Sequence, residues 1–339
     1  MAETAKKSLN LKELSKKPEL LTGGHRLCAG CTASVVMRQM LLAAEDPVII
    51  SNATGCLEVA TTIYPYSAWL TPWIHSAFEN SAATITGVES MYNSLKRQGK
   101  LPVDKKIRFI ALGGDGGTYD IGLQSLSGAL ERGHNFTYIC YDNGAYMNTG
   151  IQRSSASPLG ADTTTTPAGK VIAGKQQYRK DLTAIVAAHN IPYLAQASPS
   201  HWRDLMEKVR KALNTEGPAF LNVIAPCHRG WRCKIDEGIE LARSAVETCF
   251  WPLYEIADGK LTINYKPRQR KPLQEWMEPQ GRFNHLFKPE NAAILERLKE
   301  RVKLDWHLLL DLEIKQKLDL KEWQGVLKDK YNIDYPVEY

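Results

Sequence analysis

Two constellations in this 339-residue sequence carry residue types that do chemistry. The first is ALGGDGGTYDIG, where an apolar run ends at Leu112 and Gly113, Gly114, Gly116 and Gly117 surround one acid, Asp115. Glycines at the carboxyl end of a parallel strand let a ligand approach the backbone closely. The helix expected next, with Thr118 as its candidate N-cap, offers free N–H groups to a phosphate. A carboxylate there repels phosphate unless a hard cation bridges the two, so Mg²⁺ with a diphosphate fits best. The next apolar run ends in YDNGAYMNTG, and Asn143 adds an amide oxygen at the neighbouring strand end. The spacing G-G-D-G-G is not the dinucleotide fingerprint G-x-G-x-x-G.

The second constellation is the cysteines, seven in all. Cys28 and Cys31, in HRLCAGCTASVVM, are half of a zinc staple, a redox dithiol, a disulfide or part of an iron–sulfur site. A reducing cytoplasm disfavours the disulfide, and LLTGGHRL is a poor version of the strand that precedes a thioredoxin-like dithiol. A [4Fe–4S] cluster needs four thiolates, and zinc would accept four as well. Cys56 and Cys227 each follow an expected strand, in SNATGCLEV and VIAPCHRGW, where chains converge in a parallel sheet. Cys233, six positions past Cys227, competes for the fourth place. Structural zinc usually takes two short-spaced pairs, which is not the pattern here, so the iron–sulfur reading leads. Cys140 and Cys249 read as core residues.

These residues have to be positioned by alternating elements. Strands are expected at 47–51, 107–114, 135–142, 193–198 and 219–225, and helices at 119–132, 181–189 and 202–213. HSAFENSAATITGVESMYNSL reads as one long helix, which would place His75 and Glu79 on one face. Such alternation implies an α/β fold with a parallel sheet covered on both faces. The Ser/Thr/Gly/Pro-rich stretch from 150 to 180 is either a functional loop over the site or an insert. The division expected is an N-terminal arm over 1–22, a cofactor domain over 23–264 and an irregular C-terminal extension over 265–339 that wraps the domain or a partner. No internal repeat is apparent.

GDGG followed by YDNGAYMNTG resembles the thiamine-diphosphate motif. DNGAYMNTGIQRS, NATGCLEV, PWIHSAFEN and GHRLCAGC resemble, in the same order, the β (thiamine-binding) subunit of 2-oxoacid:ferredoxin oxidoreductases. The resemblance runs from about Gly24 to about Phe283. It implies the three-layer parallel sheet of the thiamine-diphosphate-binding fold and Mg²⁺ held by Asp115, Asn143 and the Ala145 carbonyl. It places Gly114, Gly116 and Gly117 against the diphosphate, and Asn148 and Thr149 beside the thiazolium and substrate. It assigns Cys28, Cys31, Cys56 and Cys227 to a [4Fe–4S] cluster close to the thiamine. Oxidative decarboxylation of a 2-oxoacid to acyl-CoA and CO₂ is then expected, with coenzyme A as co-substrate and electrons passing to ferredoxin or NAD. The activating glutamate comes from a pyrimidine-domain (α-type) subunit. Ferredoxin-like γ/δ-type subunits, and a flavin subunit where NAD is the acceptor, complete the expected assembly. Some single-chain pyruvate enzymes of this kind carry Gly-Glu after the CxxC, where this chain has Thr32 and Ala33. This speaks against a plain pyruvate assignment and makes an arylglyoxylate such as phenylglyoxylate a serious candidate, ahead of branched-chain or oxalate-type 2-oxoacids.

Composition narrows the alternatives. With 43% hydrophobic and 24% charged residues the chain is globular in type, and its net charge of +6 is too modest to suggest nucleic acid. No apolar run reaches the ~20 residues of a membrane span. The N-terminal stretch lacks a signal peptide's apolar middle, so a cytoplasmic location is expected. Two other functions compete: a non-redox thiamine-dependent decarboxylase or ligase, which has no use for four cysteines, and a zinc-stapled scaffold, for which Asp115 and Asn143 are turn residues. His25 reads as a loop residue near the cluster or as structural.

Overall fold

A computed structural model describes residues 9–331 apart from 103, 105, 318 and 319. The start of the expected arm and the end of the expected tail therefore lie outside the described residues. Eight strands form one sheet: β1 (Val48–Ala53), β2 (Trp73–Ser76), β3 (Arg108–Gly114), β4 (Thr137–Asp142), β5 (Tyr193–Ala197), β6 (Ala219–Ile224), β7 (Leu253–Ala257) and β8 (Lys260–Tyr265). Their order across the sheet is β2-β1-β3-β4-β6-β5-β7-β8.

The central strands are apolar on both faces, as a sheet covered on both sides requires. Along β3 and β4, Ile110, Leu112, Ile139 and Tyr141 face one layer, while Phe109, Ala111, Tyr138 and Cys140 face the other. The first layer is built by helices Thr32–Ala43 and Trp202–Asn214, which bury Val36, Met37 and Met40 and Leu205, Met206 and Val209. The second is built by helices Ser81–Arg97, Leu123–Glu131 and Leu182–Ala187, which bury Ile85, Leu126, Leu130 and Val186. Each such side chain contributes about 1.5–3 kcal/mol when fully buried.

The pairs from β2 through β5 are all parallel, so β1, β3, β4 and β6 end on one edge. β1 has β2 on one side and β3 on the other, and the chain reverses direction of travel there. This is the crevice in which open α/β sheets bind ligands.

Three features depart from the sequence reading. The stretch taken as one helix from His75 splits into β2, at the sheet edge, and a helix beginning at Ser81. His75 is therefore a strand residue, Glu79 lies in the following turn, and the two share no helix face. Second, β7 and β8 are antiparallel to their neighbours. They are joined at Asp258 and Gly259, whose φ values of 48° and 76° are those of a tight hairpin turn. Third, the segment past Tyr265, where PENAAILERLKERVK already reads as a helix, also holds the short helix Leu273–Met277 and packs on the core. Trp276, Phe283 and Leu286 join the core, and helix Ala292–Lys315 lays Val302 and Trp306 against it. No helix among the described residues is long and apolar enough to cross a membrane.

Candidate active site

The edge shared by β1, β3 and β4 forms a pocket lined by Thr54, Cys56, Phe78, Gly114–Gly117, Tyr141 and Asn143 with Ala145–Thr149. Gly116 and Gly117 open the helical stretch that follows β3, Gly116–Ile121, wound wider than an α-helix as at many functional sites. A side chain on Gly116 would run into the Tyr146 ring, so only glycine fits there. Tyr146 seals that turn through hydrogen bonds from its hydroxyl to the Gly116 carbonyl (2.9 Å) and Asp120 Oδ2 (3.2 Å).

Asp115 is wholly buried. Its Oδ1 accepts from the Asn143 amide at 3.2 Å and its Oδ2 from the Ser154 hydroxyl at 2.5 Å. Burial holds its carboxyl as a much weaker acid than usual, with its pKa well above the ordinary carboxylate range, and Asp142 nearby pushes the same way, while Ser154 opposes them. The Asn143 side-chain oxygen stands 2.9 Å from Asp115 Oδ1 and 2.8 Å from the Ala145 carbonyl, with the Ala145 amide donating to it only at a long 3.4 Å. Oxygens at neighbouring corners of a Mg²⁺ octahedron, with bonds of 2.0–2.1 Å, lie about 3 Å apart. The three oxygens therefore fit one face of such a site, whereas without a cation the Asn143 amide would turn over to donate. Behind them Asp142 is held by Arg179 (2.5 Å), and the Asn143 carbonyl accepts from the Trp231 indole (2.6 Å).

The segment from 151 to 180 forms an ordered wall of the site. Ser154, Ser157 and Lys175 are buried in it. Lys175 donates to the carbonyls of Ser154 (3.3 Å), Ser155 (3.3 Å) and Ser157 (2.6 Å), fixing the turn that presents Ser154 to Asp115. Asn148 and Thr149 line the pocket mouth and are exposed, and Thr149 Oγ1 donates to Gln152 at 2.5 Å. His75 contacts Thr54 Oγ1 at 2.9 Å on the pocket rim.

The cysteines gather at the same edge. Cys31 caps helix Thr32–Ala43, Cys56 opens helix Cys56–Thr61, and Cys227 caps helix His228–Trp231. Three thiols thus sit at helix N-termini, where the partial positive charge favours anions. The Cys31 amide donates to the Cys28 carbonyl at 3.0 Å, and Thr32 Oγ1 donates to the Pro226 carbonyl at 2.6 Å, tying the two cysteine loops together. Cys56 is pushed up to about 12 by burial first, then by Cys227, Cys31 and Cys28. Cys31 is likewise raised by burial, with Cys227 and Cys28 adding to it. The thiol near Cys233 that affects it is Cys227, and Glu237 and Arg282 act on it more strongly. Among the described residues no three His, Cys, Asp or Glu side chains converge on the radius of a single ion. Cys140 and Cys249 are core residues.

The family model for the thiamine pyrophosphate enzyme C-terminal TPP-binding domain matches residues 53–223. The chain is 52% identical over 314 residues to pyruvate synthase subunit PorB of Thermotoga maritima, covering 90% of this chain and 97% of that one. It belongs to the β-subunit family of the 2-oxoacid:ferredoxin oxidoreductases. A second family member, ketoisovalerate oxidoreductase subunit VorB of Pyrococcus furiosus, is 42% identical, covering 85% of this chain and 92% of the other. Among solved structures, a chain of the 2-oxoglutarate:ferredoxin oxidoreductase from Magnetococcus marinus shares the fold. It matches with a TM-score of 0.50 at 19% identity, over 85% of this chain and 100% of that chain. As a member of this family the chain is an oxidoreductase subunit that works with partner subunits and carries a TPP-binding domain.

Sequence reasoning missed several residues of the site. Tyr141, Ser154 and Trp231 lie inside the quoted stretches YDNGAYMNTG, DNGAYMNTGIQRS and VIAPCHRGW but carry no assigned role there, and Lys175 and Arg179 stand in no pattern that marks chemistry.

Proposed function

We propose that this chain is the thiamine diphosphate-, Mg²⁺- and [4Fe–4S]-binding subunit of a pyruvate-oxidising complex that forms acetyl-CoA and CO₂ and passes electrons to ferredoxin. The observation that carries this reading is that Cys56 lines the same pocket as the converging oxygens of Asp115, Asn143 and Ala145. A redox centre on Cys28, Cys31, Cys56 and Cys227 would border the carbanion chemistry that bound thiamine diphosphate supplies to a 2-oxoacid. Pyruvate is favoured because the PorB chains of Thermotoga maritima and Methanocaldococcus jannaschii are 52% and 53% identical, against 42% for the ketoisovalerate subunit.

The chain's own residues divide the work. Asp115, Asn143 and the Ala145 carbonyl hold the cation, and the free amides beyond Gly116 and Gly117 take the diphosphate. Arg179 and Lys175 add buried positive charge behind them. Asn148 and Thr149, at the mouth, orient the 2-oxo group. Burial and the neighbouring thiols hold Cys31 and Cys56 as weaker acids than a free cysteine, Cys227 acting on both, so these loops bring their sulfurs into one electrostatic neighbourhood, as a shared centre requires. Coenzyme A accepts the acyl group.

The carboxylate that activates the aminopyrimidine comes from a pyrimidine-domain partner. Tyr64, Tyr66 and Leu70, which follow the Cys56–Thr61 helix in the chain, and Ile74 of the edge strand β2 are all exposed. Exposed apolar side chains on the segment that leads from Cys56 to the sheet edge are where that partner docks.

The test is an anaerobic preparation of the complex, with and without Cys227→Ala. Loss of about four iron and four sulfide per chain in the variant, bound thiamine diphosphate, and dye reduction faster with pyruvate than with 2-oxoisovalerate or phenylglyoxylate support the reading. Zinc in place of iron, or no thiamine, overturns it.

A further inference from the structure

Tyr141 stands one residue before the end of β4, on the sheet face shared with Ile50 and Leu112, and is 1% exposed. Its hydroxyl rests on the backbone of two neighbouring strand ends. A Cβ built on Gly55 would lie 3.0 Å from that oxygen, and one on Gly114 would lie 3.4 Å from it. Gly55 immediately precedes Cys56, and Gly114 immediately precedes Asp115. The oxygen thus sits between the turn that presents a thiolate and the turn that presents the metal-binding carboxylate, in the wall of the pocket both line.

This hydroxyl makes no hydrogen bond. Buried tyrosines usually find a partner for theirs. The Leu57 amide lies nearby without completing a bond, and it is itself a donor, so the hydroxyl proton has no acceptor on the chain's backbone there. A tyrosine phenol carries its proton at physiological pH, so the group is a donor there.

We propose that Tyr141 is a positioning residue whose O–H donates to the Cys56 sulfur of the [4Fe–4S] cluster and so raises that cluster's reduction potential. The inference rests on the cluster reading given above. A hydrogen bond at a ligating sulfur draws off electron density and favours the reduced, more negative cluster. Placed at Cys56, the thiolate that faces the cofactor pocket, it would act on the electron acceptor at the side from which electrons arrive. Gly55 follows from the same need, because a Cβ there would crowd the hydroxyl at 3.0 Å, whereas one at Gly114 would meet it only at ordinary contact distance.

The test uses the anaerobic complex with its clusters intact, the relevant EPR signal being the one lost in Cys227→Ala. Tyr141→Phe removes one oxygen and leaves the ring. At a fixed solution potential it should lower the reduced-to-oxidised ratio of that cluster about tenfold, which is ~59 mV for a one-electron couple. Iron, sulfide and thiamine diphosphate content should not change. Electron–nuclear double resonance on the wild-type reduced cluster should show a strongly coupled exchangeable proton that disappears in D₂O and in the variant. An unchanged potential in an iron-replete variant overturns the proposal, as does a loss of thiamine affinity with no change in potential, which would assign the hydroxyl to the cofactor. Absence of the exchangeable proton in the wild type overturns it without recourse to the variant. Absence of iron from the wild type instead refutes the cluster reading itself.

Discussion

Ser154→Ala removes a single oxygen from the structure, yet its effect should be large because of where that oxygen points. Ser154 Oγ donates to Asp115 Oδ2 at 2.5 Å, between two fully buried residues. A hydrogen bond to a charged group is worth about 1.5–3 kcal/mol, and losing its donor strands a buried carboxylate oxygen. That energy corresponds to roughly a tenfold to hundredfold weaker affinity, the range seen for outer partners of metal ligands. The mechanism also fixes a pH signature. Asp115 is already raised by burial and by Asp142, and Ser154 is the leading influence that lowers it, so the variant raises it further. A cation must displace the proton, so the deficit should shrink as pH rises. Stability moves the opposite way: with the folded pKa above the unfolded one, the folded chain binds more protons, and Asp115's contribution falls as pH climbs past the ordinary carboxylate range. The assay is calorimetric titration of the complex with Mg²⁺ and thiamine diphosphate at several pH values, with Ser154→Thr as the variant that keeps the hydroxyl. An affinity within twofold of wild type at pH 7, or a deficit that does not vary with pH, refutes the argument.

Removing any one of Cys28, Cys31, Cys56 or Cys227 should abolish one cluster's worth of iron and visible absorbance, whereas Cys233→Ala, Cys140→Ala and Cys249→Ala should retain it; iron analysis separates the two groups. Lys175→Met removes the ammonium that ties three carbonyls together, leaving those of Ser154 and Ser155 with the Ser157 and Lys180 amides but taking the 2.6 Å donor from Ser157, and should lower the melting temperature by several degrees and weaken thiamine binding. Lys175 is lowered to about 8, chiefly by burial, so its unfolded form binds more protons between that value and 10.5, and wild-type stability relative to Lys175→Met should rise with pH across that window; calorimetry at pH 7.5 and 9.5 reads it. Tyr64→Asp combined with Ile74→Asp places charge in the proposed apolar docking patch and should weaken assembly with the partner subunit at least tenfold, read by sedimentation, while leaving the isolated chain's circular dichroism unchanged.

The elements that could be read from sequence are those whose signal is local. Ile110 to Leu112 and Tyr138 to Tyr141 belong to strands buried on both faces, and a continuous apolar run marks such strands directly. The glycines around Asp115 and the cysteines at strand ends carry their meaning in residue type and spacing. His75 misled because β2 is a four-residue edge strand abutting a helix, and its few residues merge into the helical pattern that follows. The β7–β8 hairpin was missed although Asp258-Gly259 is a recognised turn pair, because alternation with helices had already set the expectation of a parallel sheet. The Ser/Thr-rich stretch hid the most consequential residues. Ser154 reaches Asp115 across 39 positions and Lys175 reaches Ser157 across 18, and only tertiary placement gives such contacts meaning.

The C-terminal extension joins the site by the same logic, as the path from Cys227 to Asn143 makes plain. The Trp231 amide donates to the Cys227 carbonyl at 2.8 Å, and its indole donates to the Asn143 carbonyl at 2.6 Å. Arg282, brought in from beyond the sheet, lays its guanidinium 4.0 Å over the Trp231 ring and is 2% exposed. Burial lowers it to about 9, opposed most strongly by Asp142 and then by Cys233, Cys227 and Asp115. A cation so deeply buried needs compensation, which comes from the Gln280 side-chain oxygen at 2.9 Å and the Asp142 carboxylate, and would grow if the thiols of Cys227 and Cys233 were ionised. One tryptophan ties both proposed cofactor sites together through hydrogen bonds, and one arginine faces the charge of both. The extension is therefore part of the electrostatics of the site, and a chain truncated after β8 would lose Arg282 and the face of Trp231 that it covers.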